Sequence, residues 1–86
     1  MRVILHKKFE KQYAKLPPAV KQKFKERRNL FISDPANRLL NNHSVDSAYP
    51  GWDSINITGD FRALYELTNS YCVTFMKIGT HSQLYG

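Results

Sequence analysis

The last third of the chain leaves few choices of fold. Residues 52–79 read as three consecutive strands, "WDSINIT", "FRALYEL" and "YCVTFMKIG", rich in β-branched and aromatic residues, with a tight turn at Gly59-Asp60 and a short connection at "TNS". Strands this closely spaced can pair only as an antiparallel meander, and a meander must bury one face against something. Within these 86 residues the only cover is the N-terminal third, so the sheet and that segment have to pack on each other.

The N-terminal third supplies that cover as helices. "RVILHK" is short, β-branched and apolar, and reads as a first strand. "KFEKQYAKL" then sets Phe9, Tyr13 and Leu16 on one helical stripe. Pro17 and Pro18 end that helix and suit the first turn of the next. The second helix turns Val20, Phe24 and Phe31 inward with Leu30 beside them, and it stops near Asp34 because Pro35 follows. The expected fold class is therefore α+β: an N-terminal strand, then an antiparallel helical hairpin packed on a twisted antiparallel sheet, all in one domain spanning residues 1–86. "DPANRLLNNHSVDSAYPG" between the two halves reads as loop, with one helical turn capped by Asp34.

The register of the hairpin at Gly59-Asp60 decides which side chains leave the core. A two-residue turn would set Arg62 opposite Ile57 and mix charge into the apolar face. A three-residue loop, Thr58 to Asp60, pairs Ile57 with Phe61, Ile55 with Ala63 and Asn56 with Arg62. The two registers exclude one another, and the second keeps the core dry. It predicts Ile55, Ile57, Phe61, Ala63 and Tyr65 facing the helices, with Asn56 and Arg62 together on an open face.

Charge and cysteine content narrow the function. Lys7 to Arg28 carries nine basic residues against two acids, a net +7, whereas the rest of the chain nets −1. A basic hairpin on a near-neutral platform suits a polyanion or an acidic protein, the alternative being a solvated lysine face. The single cysteine, Cys72, cannot form an internal disulfide and fits a reducing cytoplasm. No 18-residue apolar stretch or signal-peptide core is present. The three histidines and one cysteine lack ligand spacing, so no metal or other cofactor is expected.

"FEKQYAKLP", "FISDP", "NHSV", "WDSINITGDFRALYEL" and "IGTHSQLYG" follow one another as in the RelE/ParE superfamily of type II toxin–antitoxin toxins. The terminal "GTHSQLY" most resembles the YafQ-type mRNA interferases. The resemblance implies a cytoplasmic toxin held silent by a cognate antitoxin and acting on mRNA in the ribosome. Its reaction would be metal-independent: the RNA 2′-hydroxyl attacks the adjacent phosphate and leaves a cyclic phosphate. That chemistry needs a base, an acid and cations for the charged transition state.

Residue by residue, the resemblance points to His81 for proton transfer, Arg62 for the phosphate and Tyr85 for orienting a nucleotide. His43 in "NNHSV" is a second proton-transfer candidate, and Asp60 matches the acidic residue of the turn. Each has a structural alternative: a polar strand end for His81, a cross-strand partner of Glu66 or Asp60 for Arg62, edge packing for Tyr85, a backbone-bound loop histidine for His43 and plain turn chemistry for Asp60. Lys7, Lys8, Lys11, Lys15, Lys21, Lys25 and Arg28 are the candidate RNA-binding residues of the basic hairpin. The chain differs from YafQ-type toxins in carrying Asn56 where a second strand histidine is usual, and from RelE-type toxins in having no lysine between residues 43 and 51. Two other functions remain open on this sequence, a ParE-like DNA gyrase inhibitor and a non-catalytic RNA- or protein-binding module. Gly79 reads as the bend before the tail, and residues 82–86 read as dispensable for folding, since few core residues follow Ile78.

Overall fold

A computed structural model describes residues 1–86. Strand β1 (Arg2–Leu5) leads into helix α1 (Lys7–Ala14), then α2 (Pro18–Ser33), a 3-10 turn at Arg38–Leu40, β2 (His43–Ser44), β3 (Trp52–Asn56), β4 (Phe61–Asn69), β5 (Cys72–Thr80) and a short helix α3 (His81–Tyr85). The five strands form one sheet in the order β1-β5-β4-β3-β2, with β1 parallel to β5 and every other pair antiparallel.

The helical hairpin forms where the stripes and prolines indicate. Pro18 occupies the first turn of α2, where its missing N–H costs nothing, and Asp34 ends the helix with its N–H donating to the Leu30 carbonyl. Phe9, Phe24 and Phe31 are buried against Ile55, Ile57, Ala63, Tyr65, Val73, Phe75 and Ile78 of the sheet, with Phe61, Tyr13, Leu16, Val20 and Leu30 packed around them. The rings meet at tilted or edge-on angles, with centroids 5.1 Å apart for Phe9 and Phe24, 5.5 Å for Phe24 and Phe75, and 4.9 Å for Phe31 and Tyr65. This register joins Ile55 to Ala63 and Asn56 to Arg62, and the Ile57 N–H donates to the Phe61 carbonyl at 2.9 Å. The three-residue loop is the one adopted.

Several features differ from the sequence expectation. The 3-10 turn is capped by Asn37, whose side chain accepts from the Leu39 N–H, and not by Asp34. Asp34 is occupied at the end of α2, where its carboxylate accepts from the Asn37 side chain at 3.1 Å. The segment read as loop contains an edge strand, β2, that pairs His43 with Ser54 and Ser44 with Asp53. Two residues are too short a run for alternation to reveal.

The register also slips within the β4–β5 pair. Leu64 opposes Lys77, yet Tyr65 opposes Phe75, which leaves Met76 unmatched. Strict alternation from Phe75 would send Lys77 into the core and Ile78 out of it. The extra residue keeps both Phe75 and Ile78 in the core, at 0% and 2% exposure.

The sheet face away from the helices is not bare. Leu64 is fully buried there by Val45 and Leu84, with Tyr49 and Trp52 alongside. The 45–49 segment and α3 therefore form a small second layer, and β4 is buried on both sides at its centre. Residues 82–86 are thus part of the fold, because Leu84 belongs to this cluster.

Candidate active site

The tail is held by interactions its own sequence encodes. Thr80 and Gln83 form a reciprocal capping box: the Gln83 N–H donates to Thr80 Oγ1 at 3.2 Å and the Thr80 N–H donates to Gln83 Oε1 at 2.8 Å. The His81 N–H donates to the Asp60 carbonyl at 3.2 Å, which ties the start of α3 to the β3–β4 turn. Leu84 plugs the second cluster, and the Tyr49 hydroxyl donates to the Leu84 carbonyl. Gly79 has a different role from a bend. Its φ is not positive, and a Cβ there would sit 2.9 Å from Gln83 Oε1, so it makes room for α3 to fold back onto β5.

One open cleft of about 290 Å³ lies between this tail, β2, the 45–48 segment and β4. His43, Arg62, His81 and Tyr85 all line it, together with Ser44, Ser47 and the buried Ser54. His81 and Tyr85, one helical turn apart, place their rings 4.7 Å from one another. Tyr85 also meets Tyr49 edge-on at 5.7 Å. Burial pushes the Tyr85 phenol above its ordinary range, with Tyr49 adding to the rise and the Arg62 charge opposing it. The phenol is accordingly neutral near pH 7 and can donate a hydrogen bond.

Arg62 is braced by backbone. Its Nη1 donates to the carbonyls of Thr58, Gly59 and Phe61 at 3.0–3.1 Å, and it pairs with neither Glu66 nor Asp60. Gly79 lies opposite it in β5, so no side chain crowds it from that strand. All its protein hydrogen bonds run through Nη1, so Nε and Nη2 make none to the protein.

His43 is oriented by Asn41, a residue in the left-handed region at φ 44°. His43 Nδ1 lies 2.6 Å from the Asn41 carbonyl. A carbonyl can only accept, so Nδ1 carries the hydrogen and the neutral ring offers Nε2 as an acceptor. His81 makes no such bond and its ring contacts Tyr85 alone among the aromatics.

Asp60 does not line the cleft. It is exposed at the turn, where its N–H donates to Thr58 Oγ1 and its carbonyl receives the His81 N–H, so its contribution runs through the backbone. Asn56, although opposite Arg62 in register, also lies outside the cleft. Among the basic residues, Lys7, Lys8, Lys11, Lys15 and Lys25 are exposed, while Lys21 and Arg28 are half-buried, with Lys21 over the Tyr13 ring at 5.8 Å. The chain's single ion pair, Lys23 with Glu26 at 3.8 Å, leaves that hairpin charge largely uncompensated.

Sequence reasoning missed Tyr49, which anchors α3, and the serines of the cleft. The T-x-x-Q spacing of Thr80 and Gln83 was a readable signal for α3. Nothing local marks Tyr49, whose partner lies 35 residues away.

This arrangement of sheet, hairpin and tail has solved counterparts. YafQ from E. coli strain BL21(DE3) superposes with a TM-score of 0.77 over 100% of both chains at 23% identity. The chain has the RelE/ParE toxin fold. A YoeB/ParE toxin from Agrobacterium tumefaciens matches this fold at a TM-score of 0.77, with 15% identity over 94% of this chain and 99% of the other. RelE-fold similarity extends to the RelB-RelE antitoxin-toxin complex from Methanococcus jannaschii, at a TM-score of 0.73 and 18% identity, covering 95% and 94% of the two chains. No protein-family model and no curated protein matches the sequence.

Proposed function

We propose that the protein is the toxin of a type II toxin–antitoxin system and cleaves mRNA as a ribosome-dependent endoribonuclease in the cytoplasm. The observation that carries this reading is the convergence of His43, Arg62, His81 and Tyr85 on one cleft from three separate parts of the chain. A gyrase inhibitor acting through protein contact has no need of two histidines around an unpaired arginine.

The side chains of the cleft support the following chemistry. His43 Nε2, an acceptor in the tautomer that Asn41 selects, takes the proton of the RNA 2′-hydroxyl. The 2′-oxygen forms its bond to phosphorus as the bond from phosphorus to the 5′-oxygen breaks. Protonated His81 gives its proton to that leaving oxygen, producing a 2′,3′-cyclic phosphate and a free 5′-hydroxyl. Arg62 Nε and Nη2 hold the phosphate oxygens, whose charge grows in the transition state. The neutral Tyr85 hydroxyl orients the nucleotide, and Lys7, Lys8, Lys11, Lys15, Lys21, Lys25 and Arg28 hold RNA phosphates at a distance from the reaction.

Inducing the protein in bacteria and mapping mRNA 5′ ends tests this directly. New 5′-hydroxyl ends inside translated regions are expected, and they should vanish when translation is blocked. Growth arrest with no new ends, accompanied by trapped gyrase on DNA, would replace this reading with the ParE-like one.

The partner proposed is a small, partly acidic antitoxin. YafQ has been solved in complex with DinJ and RelE with RelB, and here the hairpin's net +7, largely uncompensated within the chain, awaits opposite charge. Such binding should weaken as salt rises, because exposed charges are screened within about 8 Å at physiological ionic strength. A pull-down from the native cell across a salt series would show it, and salt-independent capture, or none, would count against it.

A further inference from the structure

Arg27 is out of place in α2. It falls on the stripe of Val20, Phe24 and Phe31, where an apolar residue would close the helix against the sheet. Its Nε is buried with no hydrogen-bond partner, and no carboxylate pairs with it. The residue as a whole is half-buried, so the rest of the guanidinium stays reachable, and a buried N–H donor left unpaired on this stripe calls for an explanation.

Arg27 lines a second cleft, about 410 Å³, with Lys23, Leu39, Asn56 and the turn residues Thr58 and Gly59. No acidic residue lines it. Lys23 faces Glu26 at 3.8 Å, but both side chains are largely solvated, so that pair holds Lys23 only weakly. Asn56 Oδ1 is also buried and unpartnered. The same two turn residues, Thr58 and Gly59, present their carbonyls to Arg62 on the other side. The β3–β4 turn is therefore the wall between two arginine-lined clefts.

We infer that this second cleft binds a phosphodiester of the RNA backbone flanking the one at Arg62, with Arg27 and Lys23 as its cations. The inference rests on the ribonuclease reading above and adds the two basic residues of the hairpin that reading leaves unused. An RNA strand crossing the turn meets Arg62 on one side and Arg27 on the other. A planar guanidinium suits paired phosphate oxygens, and Lys23 adds a point charge at the rim.

The test uses arginine Nε–H signals in a nuclear magnetic resonance titration of the whole protein. The probes are inorganic phosphate, a short single-stranded RNA 2′-O-methylated throughout, and an acidic peptide. Phosphate and RNA should both move the Arg27 signal. Arg27→Met, which retains the apolar stem, should weaken binding of that RNA and flatten its salt dependence by roughly 0.7 in log–log slope, the worth of one single-strand phosphate contact. Arg27→Lys should largely preserve the slope. An unchanged slope in Arg27→Met, or a signal that answers only to the acidic peptide, overturns the inference. Because the methylated RNA cannot be cleaved, the result is independent of catalysis. A protein that binds through Arg27 but cuts no RNA sinks only the ribonuclease reading.

Discussion

His81→Ala should lower RNA cleavage by roughly 10²–10⁴-fold, the usual worth of general acid–base catalysis, while RNA binding stays close to wild type. The structure favours a clean result. The His81 ring is exposed, and what holds its residue in place is its backbone N–H on the Asp60 carbonyl, which alanine retains. The capping box uses Thr80 and Gln83, so α3 should still form. Binding should persist because the basic hairpin is untouched. Measuring cleavage and RNA affinity on the same preparation separates the two roles. Wild-type cleavage with normal binding would reduce His81 to a helix residue and remove the proposed acid.

Leu84→Ala should destabilise the fold by about 2 kcal/mol, at the lower end for a buried leucine because its cluster is small. For a chain of this size that lowers Tm by roughly 8–16 °C. Cleavage should fall with it even below the melting transition, because undocking α3 from Val45 and Leu64 frees both His81 and Tyr85. Deleting residues 82–86 removes the capping box and the Tyr49 anchor as well, and should cost more than Leu84→Ala on both measures. Thermal melts and cleavage assays on the two variants decide it. If the truncated chain melts like the wild type, the second layer contributes nothing and α3 is a passive end.

These two variants bear on different things the sequence conveys. Residues four apart on a helix share a face, so His81 and Tyr85 were paired by their spacing alone, once α3 exists. The existence of α3 is itself written locally, in Thr80 and Gln83. Its docking is not, because Leu84 reaches Val45 and Leu64 across long stretches of chain.

By itself the sequence determined the two hairpin helices, the three meander strands and their main register. Stripes of Phe9 and Tyr13, then Phe24 and Phe31, specify two helices around Pro17-Pro18. Alternation of Ile55, Ile57, Ala63 and Tyr65 leaves one dry pairing across the Thr58–Asp60 loop, and that pairing carries Arg62 off the core face. All of this depends on neighbours within a few residues, where period and turn chemistry act. Only the tertiary structure decided where β1 lies, since pairing Arg2 with Cys72 joins residues seventy positions apart. It decided the bulge at Met76, because only the packed core requires Phe75 and Ile78 on one side. It also brought His43 to the cleft through β2, a two-residue strand whose sole support is its pairing with β3. Those outcomes are settled by which distant surfaces can be buried together, and no local pattern encodes that.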